Sequence, residues 1–209
     1  MYKRQVAKTI ASTREARARN IASRKDGLTG VSEFPHLDEV PADVLVEAPA
    51  STSTTGGALH PHRLAEPYEA LRDACDRHVA AGNAKPEVFL ANLGTPAEFT
   101  LRATWAGSVF EAGGIRAPQN DGFADMDGLI EAFRASGAQL AVVCSDDATY
   151  QTEAGAAASR LKDAGVKQLY LAGRPDEALA QAGIDTFVHA GCDIVQILRD
   201  AHAVLGVSS

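Results

Sequence analysis

The chain has 209 residues, enough for one sizeable α/β domain with an arm, or for two small units. Hydrophobic residues at 45% and charged residues at 22% are ordinary for a soluble globular protein, and a net charge of −7 makes nucleic acid and anionic membrane poor partners. No apolar run approaches the ~20 residues of a membrane span, and no basic segment followed by an apolar one marks a secretion signal. The three cysteines, Cys75, Cys144 and Cys192, are too few and too scattered for a disulfide framework, which points to the reducing cytoplasm.

Met1-Tyr2-Lys3-Arg4-Gln5 runs straight into a helical pattern with no capping residue, so a reading frame lacking its natural amino-terminal part is expected. Residues 6 to about 25 read as a helix, with Val6, Ile10, Ala18 and Ile21 apolar and basic residues in the last turn. Asp26-Gly27 breaks it. The stretch 28–62 reads as a linker, because its four prolines and the run Ser51–Gly57 cannot bury enough apolar surface to offset the entropy of ordering. Within it, Val31-Ser32-Glu33-Phe34-Pro35 forms a short apolar peg, and Val44-Leu45-Val46 has strand character. The whole arm, residues 1 to about 62, is expected to pack poorly on the rest of the chain.

Order resumes with a helix over 63–81, stopped by Gly82. From Lys85 the pattern alternates. Strands are expected at Val88–Ala91, Ile115–Ala117, Leu140–Cys144, Gln168–Leu171 and Thr186–Val188. Helices are expected at Pro96–Ala112 (capped by Thr95), Met126–Ala135, Tyr150–Ala164, Asp176–Ala182 and Asp193–Leu205. Five strands alternating with helices imply a flavodoxin-like α/β domain over 63–209. Its sheet should be parallel, covered on both faces, and ordered 2-1-3-4-5. Ligands of such sheets sit at the carboxyl ends of the strands.

The loops there carry little recognisable chemistry. Asn92-Leu93-Gly94-Thr95-Pro96 has one glycine followed by a residue without an N–H, a poor phosphate cradle. Ser145-Asp146-Asp147 offers paired acids for Mg²⁺ or phosphoryl acceptance. That chemistry needs an acid after the first strand and a Lys after the fifth, where Asn92 and His189 stand, so helix-start acids are the simpler reading. His60 and His62 form an H-x-H without further ligands at metal-site spacing, and His189 sits at a strand end as a ligand-facing or internally satisfied group. Tyr150, Cys144 and Cys192 have no base beside them in sequence, so no nucleophilic catalysis and no metal site is expected.

Several strings, specific together and weak singly, resemble one family over almost the whole chain. They are Arg19-Asn20-Ile21-Ala22-Ser23-Arg24-Lys25, Thr29-Gly30-Val31-Ser32-Glu33-Phe34-Pro35, Ala65-Glu66-Pro67-Tyr68-Glu69-Ala70-Leu71-Arg72, Ala112-Gly113-Gly114-Ile115 and Leu171-Ala172-Gly173-Arg174-Pro175. With the order of elements, they resemble the carboxy-terminal region of the small subunit of the two-subunit bacterial methylmalonyl-CoA mutase, an adenosylcobalamin-dependent isomerase of propionate metabolism. The resemblance implies that residues 1–27 are the tail of a TIM-barrel domain absent from this chain. It also implies a heterodimer whose large subunit binds adenosylcobalamin and performs the rearrangement.

In cobalamin-binding relatives the loop after the first strand reads Asp-x-His-x-x-Gly. The His ligates cobalt, the Asp orients it, and the Gly admits the nucleotide tail. Aligning the Gly94 turn puts Pro96 at the Asp position, Glu98 at the His position and Leu101 at the Gly position, so all three requirements fail. The tail-contacting loops are expected to be eroded at Ser145, Asp146, Ala172, Gly173 and Gly191. Leu101, on one helical face with Ala97 and Trp105, is expected to fill the vacated slot with hydrocarbon. The resemblance therefore implies a structural chain without cofactor, catalytic or metal site of its own. The alternative is a stand-alone flavodoxin-like module, nucleotide-binding or of receiver type.

Overall fold

The computed structural model describes residues 2–39, 45–46 and 62–208. Its elements are α1 (Tyr2–Ala22), α2 (Glu66–Ala80), β1 (Val88–Asn92), α3 (Pro96–Ala112), α4 (Met126–Ser136) and β2 (Leu140–Cys144). A short α5 (Asp147–Thr149), a π-helical turn (Tyr150–Ala154) and α6 (Gly155–Asp163) follow in succession. β3 (Gln168–Ala172), α7 (Glu177–Gln181), β4 (Thr186–Val188) and α8 (Ile194–Leu205) complete the chain.

The strands form one parallel sheet in the order β1-β2-β3-β4. β1 and β2 are buried at every position, as a sheet covered on both faces requires. Alternation along each strand feeds two cores. Val88, Leu90, Leu140, Val142 and Tyr170 face the core built with α2, α3 and α8, whereas Phe89, Ala91, Ala141, Val143 and Leu169 face the one built with α4 and α6. Packing is close at the end of α3, where a Cβ added to Gly113 would meet Leu198 of α8 at 2.8 Å. Four aspartates start helices by accepting a backbone N–H three residues on: Asp125 from Gly128, Asp146 from Thr149, Asp176 from Leu179 and Asp193 from Gln196.

The sheet departs from expectation at the segment Ile115–Ala117. Five strands were expected, but this segment contributes only a single parallel bridge, Arg116 to Glu87, made by Val88 N–H to Arg116 O (2.8 Å) and Arg116 N–H to Pro86 O (2.9 Å). The Val88 N–H faces Arg116, while the Leu93 N–H faces Cys144 O on β2. The bridge therefore lies outside β1, on the edge away from β2, where the expected second strand belongs. Gly113-Gly114 before it and Pro118 after it leave room for little more than one pair.

The arm is the second departure. Expected to pack poorly, it is anchored between Asn20 and Asp38. Ile21 is buried in the α2–α3–α8 core, with Ala22, Leu28 and Val31 packed against it. Tyr68 Oη donates to Ile21 O (3.3 Å), and the Arg72 guanidinium donates to Gly30 O (3.2 Å), Val31 O and Ala112 O (3.2 Å). Arg24 clamps Glu33 through two hydrogen bonds of 2.8 and 2.6 Å and reaches Ser108 on α3 at 3.0 Å. Arg116 pairs with Asp38. By contrast Val6 on α1 and Phe34, the tip of the predicted peg, are exposed. Leu45 and Val46 lie exposed in a bend, and Val44, His60 and the run Ser51–Gly57 fall outside the described residues.

Candidate functional site

Carbonyl groups at the carboxyl ends of β1, β2 and β3 are engaged by the chain's own polar groups. After β1, Thr95 caps α3 and Pro96 fills its first turn. Glu98 turns back, and its carboxylate accepts from the Thr95 N–H (2.5 Å) and the Thr95 hydroxyl (2.8 Å), which satisfies an orphan donor of the helix start. The same carboxylate covers Gly94, whose φ of 77° favours glycine.

The loop 118–122 folds over β1. Asn120 Nδ2 donates to Leu90 O (2.9 Å), and Asn120 Oδ1 accepts from Asn92 Nδ2 (3.0 Å) and Gly122 N–H (3.0 Å). After β2, the fully buried Ser145 donates its hydroxyl to Leu93 O (2.8 Å) and its N–H to Tyr150 Oη (3.0 Å). Tyr150 Oη also lies 3.1 Å from Val143 O and 3.0 Å from Ala172 O, so one hydroxyl joins the ends of β2 and β3. Burial pushes the Tyr150 phenol and the Cys144 thiol far above their ordinary ranges, and the Cys192 thiol upward as well. These groups stay protonated near neutrality and serve as structural donors or packing groups, not nucleophiles.

The acids after β2 are helix-start groups. Asp146 caps, and the N–H groups of the Thr149 turn hold its carboxyl below the usual range; Asp147 pairs with Arg102 of α3 at 2.5 Å. His62 pairs with Glu66 at 2.8 Å, and His189 is half-buried at a strand end with Nδ1 3.1 Å from Ala190 O. Gly191 sits in an open turn with φ of 93°.

Leu101 corrects the expectation drawn for it. It is 82% exposed and fills no slot. The buried face of α3 runs through Phe99, Ala103, Ala106 and Phe110, spaced four, three and four residues apart, which turns Leu101 outward. Leu101 instead stands at the rim of an open cavity of about 590 Å³ over the carboxyl ends of β3 and β4. Trp105 of α3 and the loops after β3 and β4 line it as well, including Ala172, Gly173, Arg174 and His189. The Arg102 guanidinium stacks over the Tyr150 ring at 4.8 Å, at the start of the π-helical turn. Sequence reasoning named Ala172, Gly173 and His189 here, gave Trp105 and Arg174 no role at a site, and missed Arg102. The signals were a cation and an indole one turn apart on α3 and a second cation just beyond the third strand.

No family model matches the chain. It is 41% identical over 203 residues to the methylmalonyl-CoA mutase small subunit of Streptomyces virginiae, covering 97% of this chain and 32% of that protein. It is 34% identical over 208 residues to the methylmalonyl-CoA mutase small subunit of Propionibacterium freudenreichii subsp. shermanii, covering 97% and 31%. It is 36% identical over 204 residues to a probable methylmalonyl-CoA mutase small subunit of Mycobacterium bovis, covering 96% and 31%. The chain thus spans about a third of the length of these relatives. Over nearly its whole length, this chain is a homologue of the carboxy-terminal part of methylmalonyl-CoA mutase small subunits.

Proposed function

We propose that the chain is a structural, non-catalytic piece of an adenosylcobalamin-dependent methylmalonyl-CoA mutase. Its partner is the large subunit, which holds the cofactor and interconverts methylmalonyl-CoA and succinyl-CoA. The observation that carries this reading is the use made of Glu98. A residue at the position of a cobalt-binding imidazole is committed to capping α3, and a carboxylate there is a harder donor than imidazole. Pro96 offers no carboxylate to orient a ligand, and Ser145, Asn120 and Tyr150 occupy the carbonyls at the strand ends. These residues do not fit cobalamin, so no chemical step is assigned to it in this chain.

A receiver-type module has no support from the same loops, since Asn92 and His189 stand where an acid and a lysine are needed and Asp146 is spent as a cap. The test is turnover by the purified chain with methylmalonyl-CoA and adenosylcobalamin, beside capture of the large subunit on the immobilised chain. No succinyl-CoA and retention of the large subunit are expected. Succinyl-CoA formed by the chain alone overturns the non-catalytic reading, and failure to retain the large subunit overturns the partner.

A further inference from the structure

We propose that the cavity over β3 and β4 binds a small organic monoanion with a flat apolar body, its acidic end held by Arg174. The proposal stands on the cavity alone and does not depend on the subunit reading.

A void of about 590 Å³ at the carboxyl ends of parallel strands has the size and position of a small-molecule site. Much of its wall is apolar: Leu101, Trp105, Leu171, Leu179 and Val188. Leu101, at 82% exposure, gains nothing from its place at the rim in the unliganded chain, and burying it against a ligand recovers that hydrophobic free energy. The indole of Trp105 supplies a flat wall, which favours an aromatic body over a branched one.

The polar groups left without a partner set the sign of the ligand. Two acids line the cavity and both are committed: Asp147 to Arg102 at 2.5 Å, and Asp176 to the Leu179 N–H at 3.1 Å. Arg174 makes no hydrogen bond or ion pair among the described residues and lines the same cavity. A guanidinium without a hydrogen-bonded partner beside an apolar void suits a carboxylate or similar anion, which it can hold through two parallel N–H donors. The Arg102 charge is balanced by Asp147, but its Nη1 is buried without an acceptor. Beside it lies the π-helical turn Tyr150–Ala154, an irregularity that in helices gathers at functional positions.

Trp105 is the chain's single tryptophan, so one indole N–H resonance reports on this cavity. The experiment titrates 2-naphthoate, and separately the uncharged 2-naphthylmethanol, into the ¹⁵N-labelled chain. A saturable shift of the indole resonance by 2-naphthoate is expected, at least ~10-fold tighter than that by the alcohol. Arg174→Gln, at an exposed position without partners among the described residues, should fold normally and lose ~10-fold in naphthoate affinity while leaving the alcohol unchanged. Absence of a saturable shift, equal affinity for acid and alcohol, or an unaffected Arg174→Gln variant each overturns the proposal. A shift produced by the large subunit but not by naphthoate marks a protein side chain as the occupant and overturns it too.

Discussion

The Glu98 carboxylate and Thr95 form a closed pair at the start of α3, with the Thr95 N–H at 2.5 Å and its hydroxyl at 2.8 Å from the same oxygen. The pair ties the first loop of the sheet to the helix behind it. Glu98→Ala removes the acceptor from both donors and should cost about 1 kcal/mol, the usual worth of a helix cap. For a chain of this size that lowers Tm by about 2–4 °C, measured by thermal unfolding. An unchanged Tm would mean that water serves Thr95 equally well.

Hydroxocobalamin should leave the absorbance of the chain, and its own, unchanged at micromolar concentration, because neither Glu98 nor Pro96 supplies the imidazole or its orienting carboxylate. The triple variant Pro96→Asp, Glu98→His, Leu101→Gly should be less stable than the parent. The loss comes from the broken Thr95–Glu98 pair and from Gly in a helix, about 1 kcal/mol each. With Leu101 exposed, no cavity penalty is added. A base-off spectrum from the unaltered chain would refute the proposed function.

Acid should weaken the fold through His202. Burial holds its pKa below the ordinary 6.5, opposed by the hydrogen bond to Gly113 O at 2.9 Å and assisted by His78. The folded state therefore binds fewer protons than the unfolded one between the depressed value and 6.5. Unfolding free energy rises with pH across that window. The contribution is complete above 6.5 and is lost as pH falls toward the depressed value. Urea unfolding at a series of pH values checks this, and His202→Gln should flatten the slope.

The arm offers two opposite outcomes. Glu33→Ala leaves the Arg24 guanidinium, with a side chain only 6% exposed, without its carboxylate and should cost about 3 kcal/mol. Phe34→Gly should instead stabilise the chain by up to ~1 kcal/mol. Its φ of 51° is unfavourable for an aromatic residue, and its exposed ring gives little packing in return. Chemical denaturation of both variants measures the pair; a destabilised Phe34→Gly would show that the ring packs in solution.

Cleavage within the low-complexity run Ser51–Gly57 should leave two fragments that co-elute on size exclusion, because Ile21, Arg24 and Asp38 hold the arm to Tyr68, Ser108 and Arg116. Separate elution would return the arm to the loosely attached state that its composition suggests.

The sequence by itself determined the alternation of short apolar runs with capped helices, since strands buried on both faces must be apolar throughout and helix ends need Thr95, Asp125, Asp146 or Asp193 to satisfy their first N–H groups. It also determined that the first loop and the helix after it contain no His, because none occurs between His78 and His189. Tertiary structure decided the rest. α3 carries apolar residues all round, so its periodicity does not choose a buried face; packing on the sheet buries Phe99, Ala103 and Phe110 and leaves Leu101 in water. The segment at Arg116 became a bridge because flanking Gly and Pro limit pairing, a constraint that acts only once β1 is beside it. The arm holds through donors from Arg24 and Arg72 to partners as much as 84 residues away in sequence, and no local pattern encodes such distances. The cavity, too, exists only where α3 crosses the ends of β3 and β4, which brings Trp105 and Arg174 to one void.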